Sequence, residues 1–351
     1  MRNRFDDDVA RGEAPYLRAY PSTTPIARGL ATPGLLAEAP ADAIQASFEA
    51  LLVELERVRR DGFTEAEFAR VRSAFLTQAE QAYAGRSTTQ DVDYAAQYVD
   101  GFLARSPTLS WEDFLAIESR QLDEITADFA AAVNLGAYAA AEPEVVVVAP
   151  AADAADLPSD AELGALLDRI PGTDVATRVD DSRDLTDLMA RPEPAAIAAS
   201  STNPVLDSRT LRFENGATVL LKPTEIADAE FLLQATSPGG FSVLAEGDLA
   251  AALVAGEVVT QSGVGDVSQV ELGRLLADKS ASIGCAAGEV DAFMFGAGAT
   301  DDAETLLQLL NQYVTAPKVE TAALETEIAE LEPLVSDPDL VPAFAATNEL
   351  R

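Results

Sequence analysis

The sequence contains no histidine at any of its 351 positions. That absence removes the usual zinc ligands, the Ser-His-Asp triad, the Cys-His pair and the side chain most often poised as a general base near neutral pH. Any chemistry in this chain falls to carboxylates, arginine, tyrosine, lysine or serine. Cysteine is reduced to Cys285, so no disulfide can form within the chain, and its neighbours Ile283, Ala286 and Ala287 suit a buried structural thiol. The only lysines are Lys222, Lys279 and Lys318. There is no run of ~18 apolar residues that could span a bilayer, and Arg2 to Arg11 is too charged for the core of a secretory signal.

Negative charge is what abounds. Against 24 Lys+Arg stand 59 Asp+Glu, a formal net charge of -35. Such a surface repels nucleic acid and anionic membranes, keeps a protein in solution, and is common where salt screens the self-repulsion. Hydrophobic residues still make up 48% of the chain, enough for the cores of two ordinary domains.

The first of these reads as a helical block bracketed by strands. Ile44, Phe48, Leu51, Leu52, Leu55 and Val58 recur at helical spacing from Asp42 to Arg60, which predicts an amphipathic helix with its charged residues on the far face. Gly62 stops it, and Thr64 with Glu67 forms the capping box of a second helix running towards Tyr83. Two more helices are expected at Thr89 to Leu103 and Ser110 to Val133. Strands are expected at Tyr16 to Tyr20 and at Val145 to Val148. From Pro171 to Pro204 the chain is rich in Asp, Pro, Ser and Ala without periodicity, and reads as an extended linker.

Beyond the linker, Asn215-Gly216 between Thr210 to Phe213 and Thr218 to Leu221 is the strongest hairpin signal present. A third strand, Phe231 to Ala235, runs into Ser237-Pro238-Gly239-Gly240. Helices follow at Asp248 to Ser262 and from Ser268, with Glu271 at its capping-box position. Strands at Ala281 to Ala287 and Asp291 to Gly296, then helices at Ala303 to Val314 and Ala322 to Leu334, complete an α+β pattern in which sheets are packed with helices on one side.

Several of these residues carry a resemblance. Leu211-Arg212-Phe213-Glu214-Asn215-Gly216, Leu221-Lys222-Pro223-Thr224, Ser237-Pro238-Gly239-Gly240 and Gln261-Ser262-Gly263-Val264-Gly265 together resemble the opening of the C-terminal half of bacterial pitrilysin/insulinase-type (M16) metallopeptidases. Glu56 to Phe68, Gln81 to Ala84 and Tyr98 to Leu103 are similar to the second domain of the same family. The resemblance implies two partial LuxS/MPP-like α+β domains: 1–170 as the later part of the second, 171–208 as the linker, and 209–351 as an incomplete third.

Family members bind zinc only in their first domain, through an inverted H-x-x-E-H helix. The resemblance between domains sets Val254, Glu257 and Val258 opposite that motif, with the glutamate as a relic and valines in place of both ligands. One carboxylate cannot hold Zn²⁺ against water, so no catalytic residue, metal ligand or cofactor is assigned here, and Zn²⁺ is expected in a missing N-terminal domain. Gly239 and Gly240 are the candidate substrate-binding residues, since two glycines let a peptide backbone approach; a plain strand exit explains them equally.

Gly296-Ala297-Gly298 lacks the spacing of a dinucleotide loop, while Asp6-Asp7-Asp8 and Asp180-Asp181 lack calcium-loop spacing and read as solvated charge. The leading expectation is a non-catalytic middle portion of an M16-type zinc endopeptidase, shaping a chamber for a peptide or protein substrate. The alternative is a catalytically inactive assembly or docking partner of an active M16-type subunit. Neither involves nucleic acid or membrane, and the resemblance points to a soluble, periplasmic or extracellular setting without fixing the compartment.

Overall fold

The computed structural model describes residues 1–336 apart from 28–29, 140–142, 180–182, 184 and 186. The first unit comprises α1 (Arg2–Ala10), β1 (Arg18–Ala27), β2 (Leu30–Glu38), α2 (Ile44–Asp61), α3 (Glu65–Ala84), α4 (Asp91–Ala104), α5 (Trp111–Glu124), α6 (Ala127–Ala139) and α7 (Asp160–Arg169). The second comprises β3 (Ile197–Asn203), β4 (Ser208–Phe213), β5 (Thr218–Leu221), β6 (Glu230–Pro238), α8 (Leu249–Thr260), α9 (Gln269–Leu275), β7 (Ala281–Ala287), β8 (Asp291–Ala299), α10 (Ala303–Thr315) and α11 (Thr321–Ser336). Every sheet is antiparallel, so the α+β class holds.

Local chemistry sets the helix boundaries. Gly62 ends α2 with φ at 69°, and Thr64 accepts from the Glu67 backbone N–H while the Glu67 carboxylate accepts from Thr64, which opens α3. Ser268 and Glu271 repeat the device at α9, and Ser159 with Glu162 at α7. The helix expected over Ser110 to Val133 is two helices: α5 closes at Ile125, in extended backbone, and α6 starts two residues later.

The sheets depart further from expectation. β1 pairs with β2 from Arg18↔Glu38 to Ala27↔Leu30, a hairpin of which only Arg18 to Tyr20 fall within the strand expected at Tyr16 to Tyr20. Val145 to Val148, expected as a strand, is irregular: no described strand lies beside it to take its backbone groups, and a β-prone run without a ladder partner stays outside a sheet. The Asn215-Gly216 hairpin forms as expected, and β3 adds to its other side. β6 leaves that sheet and pairs with β8, which in turn pairs with β7.

Two cores anchor the fold. Phe5, Tyr16, Ala19 and Leu51 close the first, with the Phe5 and Tyr16 rings edge to face at 5.8 Å. Val264, Val267, Leu272, Ile283, Leu306, Leu309 and Tyr313 form the second, joined by Leu188. Leu188 therefore ties the 171–208 stretch into the second unit, while Arg57 and Arg60 of α2 donate to the carbonyls of Ala176 and Val175 at its other end. The lysines all lie in the second unit: Lys222 donates to the Leu206 carbonyl at 2.9 Å, Lys279 faces Asp302 at 3.8 Å, and Lys318 pairs with Glu320 at 2.8 Å.

Candidate functional site

α8 is a short apolar helix packed on β7, and the packing is close because position 256 is glycine. A Cβ there would lie 2.5 Å from the Cys285 carbonyl oxygen. Thr260 completes the seam: its hydroxyl donates to the Gly256 carbonyl at 2.8 Å and accepts from the Cys285 N–H at 3.1 Å. Burial pushes the Cys285 thiol up, as suits an inert structural cysteine.

On this helix Val258 is buried, Val254 is half-buried and Glu257 is exposed. Glu257 accepts from Gln261 Nε2 at 2.8 Å and faces α11, where burial, then Glu257 and Glu330, push the Glu327 carboxyl up. The three positions set against the zinc motif thus offer one solvated carboxylate and two hydrocarbon side chains. Among the described residues no three His, Cys, Asp or Glu side chains converge as metal ligands. These residues do not fit Zn²⁺, which wants four nitrogen, sulfur or oxygen donors in a tetrahedron.

Gly239 and Gly240 sit where β6 turns over the end of the β7–β8 hairpin, with φ of 146° and 61°. The Gly239 N–H donates to Val290, Phe241 to Gly288 and Ser242 to Glu289, each at 2.8–2.9 Å. A Cβ on Gly240 would lie 2.2 Å from the Gly288 carbonyl oxygen. The close backbone approach that Gly240 permits is an approach to the protein's own hairpin.

Two charged clusters were not visible in the sequence. The guanidinium of Arg4, its side chain 7% exposed, donates to Glu54 at 2.8 Å, to both oxygens of Glu67 at 2.6 and 2.8 Å, and to the Gly62 carbonyl at 3.1 Å. Burial raises the Glu67 carboxyl, but hydrogen bonds from Arg4 and from the Thr64 backbone outweigh it and hold the pKa at about 2. Glu54 and Glu56 are themselves buried, so the charged face expected for α2 is in part an interior one. In the second unit Arg183 clamps Glu271 at 2.7 Å, and that bond, with the Ser268 backbone N–H, holds the Glu271 carboxyl far below its usual range.

Asp7 and Asp8 correct another expectation. Their side chains are about one-fifth exposed and pair with Arg178 and Arg274, whereas Asp6 is the solvated member of the three. Asp180-Asp181 lies outside the described residues. Gly296 and Gly298 sit inside β8, where added Cβ atoms would meet the Ser282 and Ser280 carbonyls, so they serve strand packing. An open depression of about 600 Å³ is lined by Tyr98, Phe102 and Arg105, and a second of about 380 Å³ by Glu13, Tyr16 and Arg57.

Comparison with known proteins adds the wider context. No protein-family model matches the chain. Its sequence is 22% identical over 227 residues to a zinc protease PQQL-like protein of Arabidopsis thaliana, a match that takes in 64% of this chain and 24% of that one. Its fold superposes along 100% of its length on 39% of a mutant of the ferredoxin protease FusC, solved in complex with Arabidopsis ferredoxin, with a TM-score of 0.55 and 18% identity. The periplasmic protease PqqL of Escherichia coli matches 96% of the chain over 38% of its own, at a TM-score of 0.45 and 21% identity.

The chain is related to the pitrilysin/insulinase-type (M16) metallopeptidases and has their α+β fold. It spans about a quarter of the curated relative's length.

Proposed function

We propose that the chain is a non-catalytic middle portion of an M16-type zinc metalloendopeptidase, where it helps to shape the chamber for a peptide or protein substrate. Residues 1–170 act in this reading as the later part of a second domain, 209–351 as part of a third, and 171–208 as the connection between them. The observation that carries it is a fold matched along the whole chain to 39% of a known protease, in a sequence with no histidine at all.

Exposed apolar surface supports the same reading. Val92, Tyr98, Val99 and Phe102 of α4 face solvent, Phe102 at 81%, as do Ile197 of β3 and Val219, Leu220 and Leu221 of β5. Apolar surface on that scale marks a face that other protein covers. Zinc and its ligands belong in this reading to a separate N-terminal domain, and the Gly239-Gly240 turn serves packing. The periplasmic setting of PqqL and the ferredoxin bound to FusC are precedents for the intact protein's surroundings and protein substrates.

The test is to incubate the purified chain with Zn²⁺ and an unstructured peptide, and to measure bound metal alongside. No cleavage and no stoichiometric zinc are expected, and Glu257→Gln should change neither. Chelator-sensitive cleavage by this chain alone would overturn the proposal.

A further inference from the structure

Helix α1 touches three separate parts of the chain through charge. Arg4 fixes it to α2 and α3, and its carbonyl accepts from Arg178 Nη2 at 3.1 Å. Asp8 receives Arg178 at 2.7 Å. Asp7 receives Arg274 of α9 at 3.0 Å and lies 3.9 Å from Arg178. Arg178 belongs to the connecting stretch and Arg274 to the second unit, so Asp7 stands where all three meet.

The side chains of Asp7, Asp8, Arg178 and Arg274 are 16–21% exposed, so the pairs are partly buried but retain an edge in solvent. Two further polar contacts cross the boundary: Thr77 Oγ1 donates to the Asp278 carbonyl at 3.2 Å, and Ser87 bonds Asp228. Gly12 lies against α11, where an added Cβ would come within 3.3 Å of Ala322.

We propose that α1 is an ionic latch, in which Asp7 and Asp8 hold Arg178 and Arg274 and so fix the second unit against the helical block. Salt releases it. The general repulsion of an acidic chain acts over long distances and is already screened near 0.15 M, where the Debye length is about 8 Å. Raising salt to about 1 M shortens that length to about 3 Å, comparable with the 2.7 and 3.0 Å of the close pairs, so their solvent-facing side weakens even though partial burial protects the rest. The latch concerns the angle between the units and stands whether or not the chain serves a peptidase.

The experiment uses the full chain carrying Cys285→Ala, with spin labels at the exposed positions Glu80→Cys on α3 and Asp301→Cys before α10, read by pulsed electron resonance. One narrow distance distribution is expected near 0.15 M salt and a broadened one near 1 M. Asp7→Asn and Arg274→Gln should each be broad at the lower salt and little changed by more, whereas Asp7→Glu should stay narrow. Arg72→Gln, which breaks the surface pair with Asp123 inside the helical block, is the control and should match the parent. The proposal fails if salt leaves the parent distribution unchanged, or if Asp7→Glu broadens it as much as Asp7→Asn. Where Asp7→Asn does not fold, as judged by circular dichroism, the parent salt series and Asp7→Glu decide.

Discussion

Replacing Arg4 with methionine removes a guanidinium that two carboxylates share in the first unit's interior. The change keeps the unbranched stem and deletes the guanidinium, leaving Glu54, whose side chain is 2% exposed, with Arg57 at 3.0 Å and the nearby Met1 ammonium. Glu67 keeps its capping hydrogen bonds with Thr64. Taking one partner from a buried ion pair costs about 3–5 kcal/mol, and the surviving Arg57 contact puts Arg4→Met near about 3 kcal/mol. That is a large part of the 5–15 kcal/mol typical of a folded domain, so the helical block should unfold at clearly lower urea in far-UV circular dichroism. The triple variant Arg4→Met, Glu54→Leu, Glu67→Gln should recover most of the loss, because it leaves no unpaired buried charge and glutamine still serves the capping box. A loss below about 1 kcal/mol for Arg4→Met would place the cluster among solvated surface pairs and refute the reasoning.

Acid should loosen the same cluster. Glu67 has a folded pKa of about 2 against a reference of 4.5, so the stability it contributes is complete above the reference value and drains away as pH falls towards about 2; an acid titration of Glu67→Gln should lack that component. Gly240→Ala forces a Cβ to within 2.2 Å of the Gly288 carbonyl at a positive φ, and should destabilise the second unit by more than about 1 kcal/mol in urea unfolding. Leu306→Ala, at 0% exposure, opens a cavity in the second core, and a loss of about 2–5 kcal/mol is expected by the same measurement.

The sequence disclosed elements wherever a local signal fixed them. Gly62 and the Thr64/Glu67 box placed the α2–α3 turn, Asn215-Gly216 placed the β4–β5 hairpin, and Ser268/Glu271 placed α9, because each is settled within a few residues of chain. What depended on distant partners was hidden. β6 leaves the hairpin sheet for β8, whose paired residues lie 53 to 69 positions downstream, and Val145 to Val148 has β-prone side chains but pairs with no described strand. The buried arginine was hidden for the same reason: nothing near Arg4 announces that Glu54 and Glu67 will meet it. At the candidate site, the valines at 254 and 258 already excluded a zinc pair, while the use of the Gly239-Gly240 turn against its own hairpin needed the tertiary structure.

The three lysines make the molecule a reagent for its own dissection. Since Lys222, Lys279 and Lys318 all fall in the second unit, a lysine-specific endoprotease has no site before position 222. Digestion would release the whole helical block, with the connecting stretch and the β3–β5 sheet attached, as one fragment. Amine-directed labels would mark the second unit at those three side chains and leave every side chain of the first untouched. Arginine supplies all the side-chain cations of the first unit, which gives the two halves of the chain different chemical handles without any engineering.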